Sequence, residues 1–212
     1  DHGARVKAYQ RTLAQRNAAL RERGGRDLAV WSRRLARAGE SVHEARLRTL
    51  SSFGPLLRDA GDALARGAVA AEYQPGWDVD RGLEAVLLAN LDQDRERGWT
   101  ASGPHRGDVR LRLRGQDLRS EGSRGEQKLV AAAWFVAAAR FVAGRTGAPG
   151  VALVDDLAAE LDGDSRRRVL SGLSEWGGQV VCTALHEGAL AGALAEPARV
   201  FHVEHGRVRT MV

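Results

Sequence analysis

Glu121-Gly-Ser-Arg-Gly-Glu-Gln-Lys128 and Val151-Ala-Leu-Val-Asp-Asp156 decide how this 212-residue chain is read. The first is a polar, glycine-bearing turn that opens into an apolar helix. Free N–H groups and the helix dipole favour an anion there, and the Ser123 hydroxyl adds a donor. Gly125 lets a phosphate oxygen approach the backbone. The same pattern also describes a serine-capped helix, and the residues by themselves leave both readings open. The second stretch is a short apolar strand ending in two carboxylates. At the C-terminal edge of a parallel sheet such acids face the ligand crevice. Asp155 is placed to hold Mg²⁺ and Asp156 to orient a water, although two acids after an apolar run also arise by chance.

Working outward, residues 126–145 form a helix that is apolar nearly all round, which predicts burial. Asp164-Ser165 is expected to cap a helix reaching Trp176. Gln179–Thr183 reads as a second buried strand ending in a hydroxyl, with His186 three residues on. Residues 198–204 read as a strand and His205-Gly206 as a tight turn, after which Val208–Met211 closes the chain. Strands alternating with helices argue an α/β layer. Upstream, Val6, Leu13, Leu20, Leu28, Trp31, Leu35 and Val42 recur at helical spacing among many charges from about residue 5 to 66. Gly24-Gly25 and Gly54-Pro55 are expected to punctuate that run, giving two or three charged helices in an antiparallel arm. Residues 69–73 predict a strand closed by Gln74-Pro-Gly76, with Trp77 anchoring the turn. One helix is expected over 82–97, stopped by Gly98. A turn-rich loop at 100–108 precedes Val109–Arg114, an alternating strand with an arginine face.

Hydrophobic residues make up 43% of the chain, enough for a core, and aromatics 5%, so that core is mostly Ala, Leu and Val. Net charge is +5, and Lys7 and Lys128 are the only lysines. This balance is compatible with a polyanionic partner, and equally with the Arg- and Ala-rich composition that a GC-rich genome gives. Cys182 is the single cysteine, which excludes a disulfide framework and fits a reducing compartment. The sequence is expected to contain neither a signal peptide nor an apolar run of membrane-spanning length, so no membrane partner is expected.

In this order the motifs resemble the C-terminal half of an ABC-type ATPase head. Ser123-Arg-Gly-Glu-Gln-Lys128 resembles the signature motif, Val151–Asp156 the Walker B strand, and Glu160-Leu-Asp162 the D-loop. Thr183 or His186 stands where the switch residue follows its strand. Within that class the chain resembles the RecF family of DNA repair ATPases. Tyr9-Gln-Arg and Gln15-Arg-Asn-Ala-Ala-Leu20 resemble its helical arm, and Tyr73-Gln-Pro-Gly-Trp77 the following strand and turn. Gly103-Pro-His-Arg106 with Asp108 resembles its characteristic loop, and Phe201-His-Val-Glu-His-Gly206 its ending. Two departures stand out. The pattern Gly-x₄-Gly-Lys-Ser/Thr is absent, and the acid pair is Asp-Asp where many relatives of the class have Asp-Glu.

The resemblance implies an α/β, ABC-ATPase-like head, its C-terminal half a mixed or parallel sheet flanked by helices, carrying an α-helical arm. The expected divisions are an arm at 1–67, a linking strand, turn and helix at 68–99, and the half-head at 100–212. It implies ATP and Mg²⁺ as cofactors, both needing a P-loop segment upstream of Asp1, and no ATP turnover by the chain alone. Asp155 is then the metal ligand, with Asp156, Thr183 and His186 catalytic. Ser123, Arg124, Gly125, Gln127, Lys128 and Asp162 contact nucleotide, the signature turn reaching the nucleotide of a second subunit. Arg106, Arg110, Arg112 and Arg114 are DNA-contact candidates. The implied partners are gapped or single-strand/duplex junction DNA, an ATP-dependent homodimer and recombination mediator proteins, in the cytoplasm. Two rival readings remain, a non-catalytic nucleic-acid-binding scaffold and another SMC-like ATPase.

Overall fold

The long helical run near the N-terminus becomes two helices in the computed structural model, which describes residues 2–22, 27–156, 161–185 and 199–211. These are α1 (His2–Arg21) and α2 (Leu28–Ala65). Gly54-Pro55 does not break α2, contrary to the sequence expectation; Pro55 lies inside it. Proline costs a helix one hydrogen bond and a steric contact. The apolar positions either side, Phe53 and Leu57, are both buried and hold the helix through the defect. The chain then forms β1 (Val69–Gln74), α3 (Leu83–Ala89), α4 (Leu91–Arg97) and a 3₁₀ turn at Pro104–Arg106. Next come β2 (Asp108–Leu113), β3 (Gln116–Asp117), α5 (Leu118–Glu121) and α6 (Arg124–Thr146). The last described elements are β4 (Val151–Val154), α7 (Gly163–Ser174), β5 (Gln179–Cys182), β6 (Val200–Glu204) and β7 (Arg207–Met211).

The expected single helix over 82–97 is two, joined at Asn90 (φ −93°, ψ 9°), and Gly98 ends the second in the left-handed conformation. The chain divides into two compact units that interleave in sequence, residues 1–54 with 71–111 and residues 55–70 with 112–212. The sequence reading instead cut at 67 and 99. The observed division falls inside α2, β1 and β2, which no change of composition marks.

In the first unit Tyr9, Leu35, Ala36, Val42, Leu83 and Leu87 form one core and Ala19, Leu20 and Leu28 a second. Between these apolar clusters lies a charge the sequence reading missed. Arg16 is fully buried and pairs with buried Asp94 at 2.8 Å. It also donates to the Ser32 hydroxyl (3.0 Å), the Thr100 hydroxyl (2.6 Å) and the Leu87 carbonyl (3.3 Å). One guanidinium thus ties together α1, α2, α3, α4 and the loop after them.

In the second unit α6 and α7 pack together, and a Cβ added at Gly172 would sit 3.2 Å from Leu64 Cδ1, so α7 lies close to the end of α2. Arg168 donates to the Leu64 carbonyl at 3.1 Å. Strands β4 and β5 are parallel, with Val151 opposite Gln179 and Val154 opposite Cys182. Strands β6 and β7 form an antiparallel hairpin turned by His205 and Gly206. The expected burial of α6, β4 and β5 is not observed. On α6 only Val130, Ala133, Val136 and Ala137 are buried, while Phe135 and Val142 are exposed. On β4 only Ala152 is buried, and Leu153 is 75% exposed. Among the described residues these elements are covered on one face only. The expectation that no apolar run reaches membrane-spanning length also fails, since α6 is long and apolar enough by length and composition. It packs on α7 by one face and leaves the other bare.

Candidate functional site

Strand pairing builds the first site, in the second unit. The parallel register of β4 and β5 brings their C-terminal ends level, so Asp155 and Thr183 emerge side by side. The Thr183 N–H donates to the Val154 carbonyl at 3.0 Å, and its hydroxyl donates to Asp155 Oδ1. That hydroxyl also accepts from the Asp156 N–H at 3.0 Å. Asp156 adopts a left-handed φ of +46°, a strained conformation for a non-glycine residue. Its Oδ1 is buried and has no hydrogen-bond partner among the described residues. A buried, unpartnered carboxylate oxygen at the carboxyl end of parallel strands fits a metal ion or a metal-bound water. Among the described residues no group of three or more His, Cys, Asp or Glu converges to hold a metal, so Mg²⁺ here would need further oxygens from phosphate and water. His186 and the Glu160 end of the D-loop lie outside the described residues.

Asp162 is described, and its carboxylate is engaged. It caps α7, accepting from the Ser165 N–H at 2.8 Å and the Ser165 hydroxyl at 3.0 Å. These bonds, the backbone one first, hold its carboxyl below the usual range. The expected capping by Asp164-Ser165 is therefore corrected by two residues: buried Ser165 supplies the donors and Asp162 is the cap.

The signature-like turn forms the mouth of α6. Ser123 caps the helix in a reciprocal capping box with Glu126. The Ser123 N–H and hydroxyl donate to Glu126 Oε2 at 3.0 and 2.8 Å, and the Glu126 N–H donates back to Ser123 Oγ at 3.3 Å. Glu126 also pairs with Arg114. The bonds from Ser123, then Arg114, hold the Glu126 carboxyl below its ordinary value. Gln127 donates to the Leu118 and Gly122 carbonyls at 3.3 and 3.1 Å, fixing the turn from below. Ser123, Arg124, Gly125, Gln127 and Lys128 are all exposed, and a Cβ at Gly125 would meet nothing within 4 Å. The turn is thus a rigid, open, outward-facing helix N-terminus. Its serine hydroxyl is occupied by Glu126, so any anion there must compete with or share that bond.

The arginine candidates separate. Arg110 is exposed on β2, Arg112 donates to the Gly115 carbonyl at 3.1 Å, and Arg106 lies 5.7 Å from the Trp99 ring centre. Arg114 is not on the strand face as expected; it is the left-handed residue (φ +52°) of the β2–β3 turn and faces Glu126.

In the first unit, three stretches that the sequence presents far apart meet. Tyr9 Oη donates to His105 Nδ1 at 2.7 Å, and His105 Nε2 donates to the Thr100 carbonyl at 3.0 Å, which fixes the neutral Nε2–H tautomer. Burial pushes the Tyr9 hydroxyl up and the His105 imidazole down, in keeping with that assignment. The Gly103 N–H donates to the Gly76 carbonyl at 3.2 Å. A Cβ at Gly76 (φ +87°) would lie 2.6 Å from the Gly103 carbonyl, so the 73–77 turn and the 103–108 loop touch backbone to backbone. His43 lies between Tyr73 and Trp77, at 5.5 and 5.0 Å between ring centres.

No protein-family model matches the chain. Individual curated proteins do. The chain is 38% identical over 209 residues to a DNA replication and repair protein RecF of Chromohalobacter salexigens, covering 96% of this chain and 58% of that protein. The chain spans 55–58% of the length of curated relatives that it matches. A solved structure described as the recombination mediator protein RecF with ATP superposes with a TM-score of 0.81 at 20% identity, over 100% of this chain and 58% of that one. An SMC head bound to the C-terminal winged-helix domain of ScpA superposes with a TM-score of 0.51 at 15% identity, over 86% of this chain and 48% of that one. The fold is that shared by these RecF and SMC head structures, with the higher superposition on the RecF structure.

Proposed function

From a chain that matches the C-terminal part of RecF-family proteins along nearly its whole length, we propose the following function. It is the signature, Walker B and switch portion of an ATP-dependent DNA-binding clamp of RecF type, cytoplasmic and active in DNA replication and repair. One observation carries the reading. Parallel β4 and β5 deliver Asp155 and Thr183 into a direct hydrogen bond, beside an Asp156 oxygen left without a partner among the described residues. A structural acid pair would be satisfied locally; this one is held in strain and left open.

Asp155 would hold Mg²⁺, whose chemistry is to neutralise charge on phosphate oxygens. Asp156 would orient the attacking water through the oxygen that has no partner among the described residues. Thr183 holds Asp155 and the Asp156 backbone in place; His186 is the alternative switch residue. The chain contains no Gly-x₄-Gly-Lys-Ser/Thr cradle for the β- and γ-phosphates, so a P-loop must come from another segment. Ser123, Arg124, Gly125 and Lys128 would meet the γ-phosphate of a second subunit's nucleotide, with Gln127 bracing the turn and Asp162 holding the D-loop end. ATP then joins two copies, and hydrolysis releases them. Arg106, Arg110, Arg112 and Arg114 supply phosphate contacts to gapped or junction DNA, and the clamp supports recombinase loading with recombination mediator proteins.

The test joins these residues to a P-loop-bearing segment and compares Asp155→Asn with the parent. Mg²⁺-dependent ATP turnover should fall roughly 100-fold or more while the melting temperature stays put. Unchanged turnover would remove Asp155 from the site and with it the reading.

A further inference from the structure

Trp99 stands out in the first unit as a large aromatic ring, 40% exposed, on a backbone that is held rigidly on both sides. Before it, Gly98 caps α4 in the left-handed conformation, its N–H bonded to the Asp94 and Arg95 carbonyls. The Gly98 carbonyl accepts from Arg21 Nε at 3.1 Å. After it, the Thr100 N–H and hydroxyl donate to Asn17 Oδ1 at 2.9 and 2.7 Å, and the Ala101 N–H donates to Asp94 Oδ1 at 3.0 Å. Thr100 is itself buried against Arg16. Gly98, Thr100 and Ala101 are pinned, and the indole among them is partly exposed. The pinned backbone fixes where that ring sits, with the residue 40% exposed.

Two guanidiniums accompany the ring. Arg97 lies 6.0 Å from its centre and Arg106 5.7 Å. Arg106 is positioned by the 3₁₀ turn, whose N–H donates to the Gly103 carbonyl at 2.9 Å, while Arg46 grips the Pro104 carbonyl at 2.7 Å. The nearby acid, Asp94, is buried and already matched by Arg16. The surface therefore offers an indole with two guanidiniums over it, on which a base stacks either by taking one guanidinium's place or on the outer guanidinium plane. A cationic ligand such as a methylated amine is repelled by the arginines. A ligand that is planar and anionic fits: stacking on the ring, phosphate on the guanidiniums. Within a duplex a base is stacked on its neighbours and paired, so its face is not available. An unpaired base offers it freely.

We propose that Trp99, with Arg97 and Arg106, is a stacking site for an unpaired nucleotide, so that this unit takes single-stranded DNA by base face as well as by phosphate. The proposal rests on the DNA-clamp reading above and adds a discriminating contact to it: phosphate contacts bind duplex and single strand alike, whereas Trp99 distinguishes them.

The test measures binding of the 212-residue chain to a fluorescein-labelled dT20 oligonucleotide and to a blunt 20-base-pair duplex, by anisotropy at one fixed salt concentration. Trp99→Ala should weaken dT20 binding roughly 5- to 100-fold, the range for loss of one base–aromatic stack, and leave the duplex within about twofold. Trp99→Phe should keep most of the dT20 affinity but lose the part of the intrinsic tryptophan quenching that dT20 causes in the parent. Equal weakening of both probes, or none, overturns the proposal and leaves the clamp reading standing. So does a parent chain that binds duplex and not dT20. A parent that binds neither probe overturns the proposal, and the clamp reading is then judged on these residues joined to a P-loop-bearing segment with ATP present.

Discussion

Removing the carboxylate opposite Arg16 tests the architecture of the first unit at its most sensitive point. Asp94→Ala leaves a guanidinium with no measurable exposure and no counter-charge. The Ser32 and Thr100 hydroxyls and the Leu87 carbonyl would still accept from it, but none is ionic. The Ala101 N–H loses its acceptor as well. Breaking a buried ion pair from one side typically costs about 3–5 kcal/mol, because the remaining charge stays buried and unpaired. Native-state hydrogen exchange is the suitable assay, since two compact units need not unfold together and a single melting curve would mix them. Amides of α1, α3 and α4 should lose about 3–5 kcal/mol of protection, while α6 and α7 keep theirs. Replacing both partners, Arg16→Met with Asp94→Leu, should recover much of the loss, because no charge is then buried. A loss under about 1 kcal/mol in the single variant would mean water reaches Arg16 and would refute the network as the tie between these elements.

Two further outcomes follow from the same unit. The His105 and His43 imidazoles are both pushed below their ordinary 6.5, by burial first, and the Tyr9 hydroxyl is pushed above its ordinary 10.0, also by burial first. The unfolded chain therefore binds more protons than the folded one as pH falls below about 6.5, and fewer as pH rises above about 10, so stability should decline on both sides of that window. Protection that keeps rising below pH 6, or holds flat above pH 10, would contradict the buried Tyr9–His105 pair. Separately, Gly39→Ala should cost about 1–3 kcal/mol, because its Cβ would lie 2.4 Å from buried Leu83 Cδ2 and 3.3 Å from both Tyr9 and Pro104. An unchanged urea midpoint would show that α2 has room against α1 and α3.

How far the sequence disclosed this differs from motif to motif. The strands and acids at Val151–Asp156 and Gln179–Thr183 were legible because an apolar run closed by a polar residue is a local pattern, and parallel pairing then made Asp155 and Thr183 neighbours. The Tyr9, Tyr73–Trp77 and Gly103–Arg106 stretches were legible one by one, but their meeting was not, since His105 reaches Tyr9 across 96 residues. Arg16 and Asp94 are not legible in the sequence for a physical reason: in a chain this rich in charge, a buried ion pair looks like any other two charges on helix surfaces. Composition predicted burial for α6, and the structure shows Phe135 and Val142 bare, because periodicity reports what a face can do and not whether a partner covers it. The cap of α7 was misplaced by two residues because Asp162, Asp164 and Ser165 are all good caps, and only the buried position of Ser165 decides among them.

The central claim is that one subunit's Ser123 turn serves a second subunit's nucleotide, while Asp155 and Asp156 serve their own. Ser123→Arg, placed in a chain that joins these residues to a P-loop-bearing segment, separates the two. Monomer ATP affinity and ATP-driven self-association are measured side by side, by fluorescent-nucleotide titration and by sedimentation velocity. The account expects association to disappear while monomer affinity stays within about twofold, since the arginine occupies only the outward-facing helix mouth. Loss of monomer affinity would put Ser123 in the same site as the aspartates, and the account would be wrong.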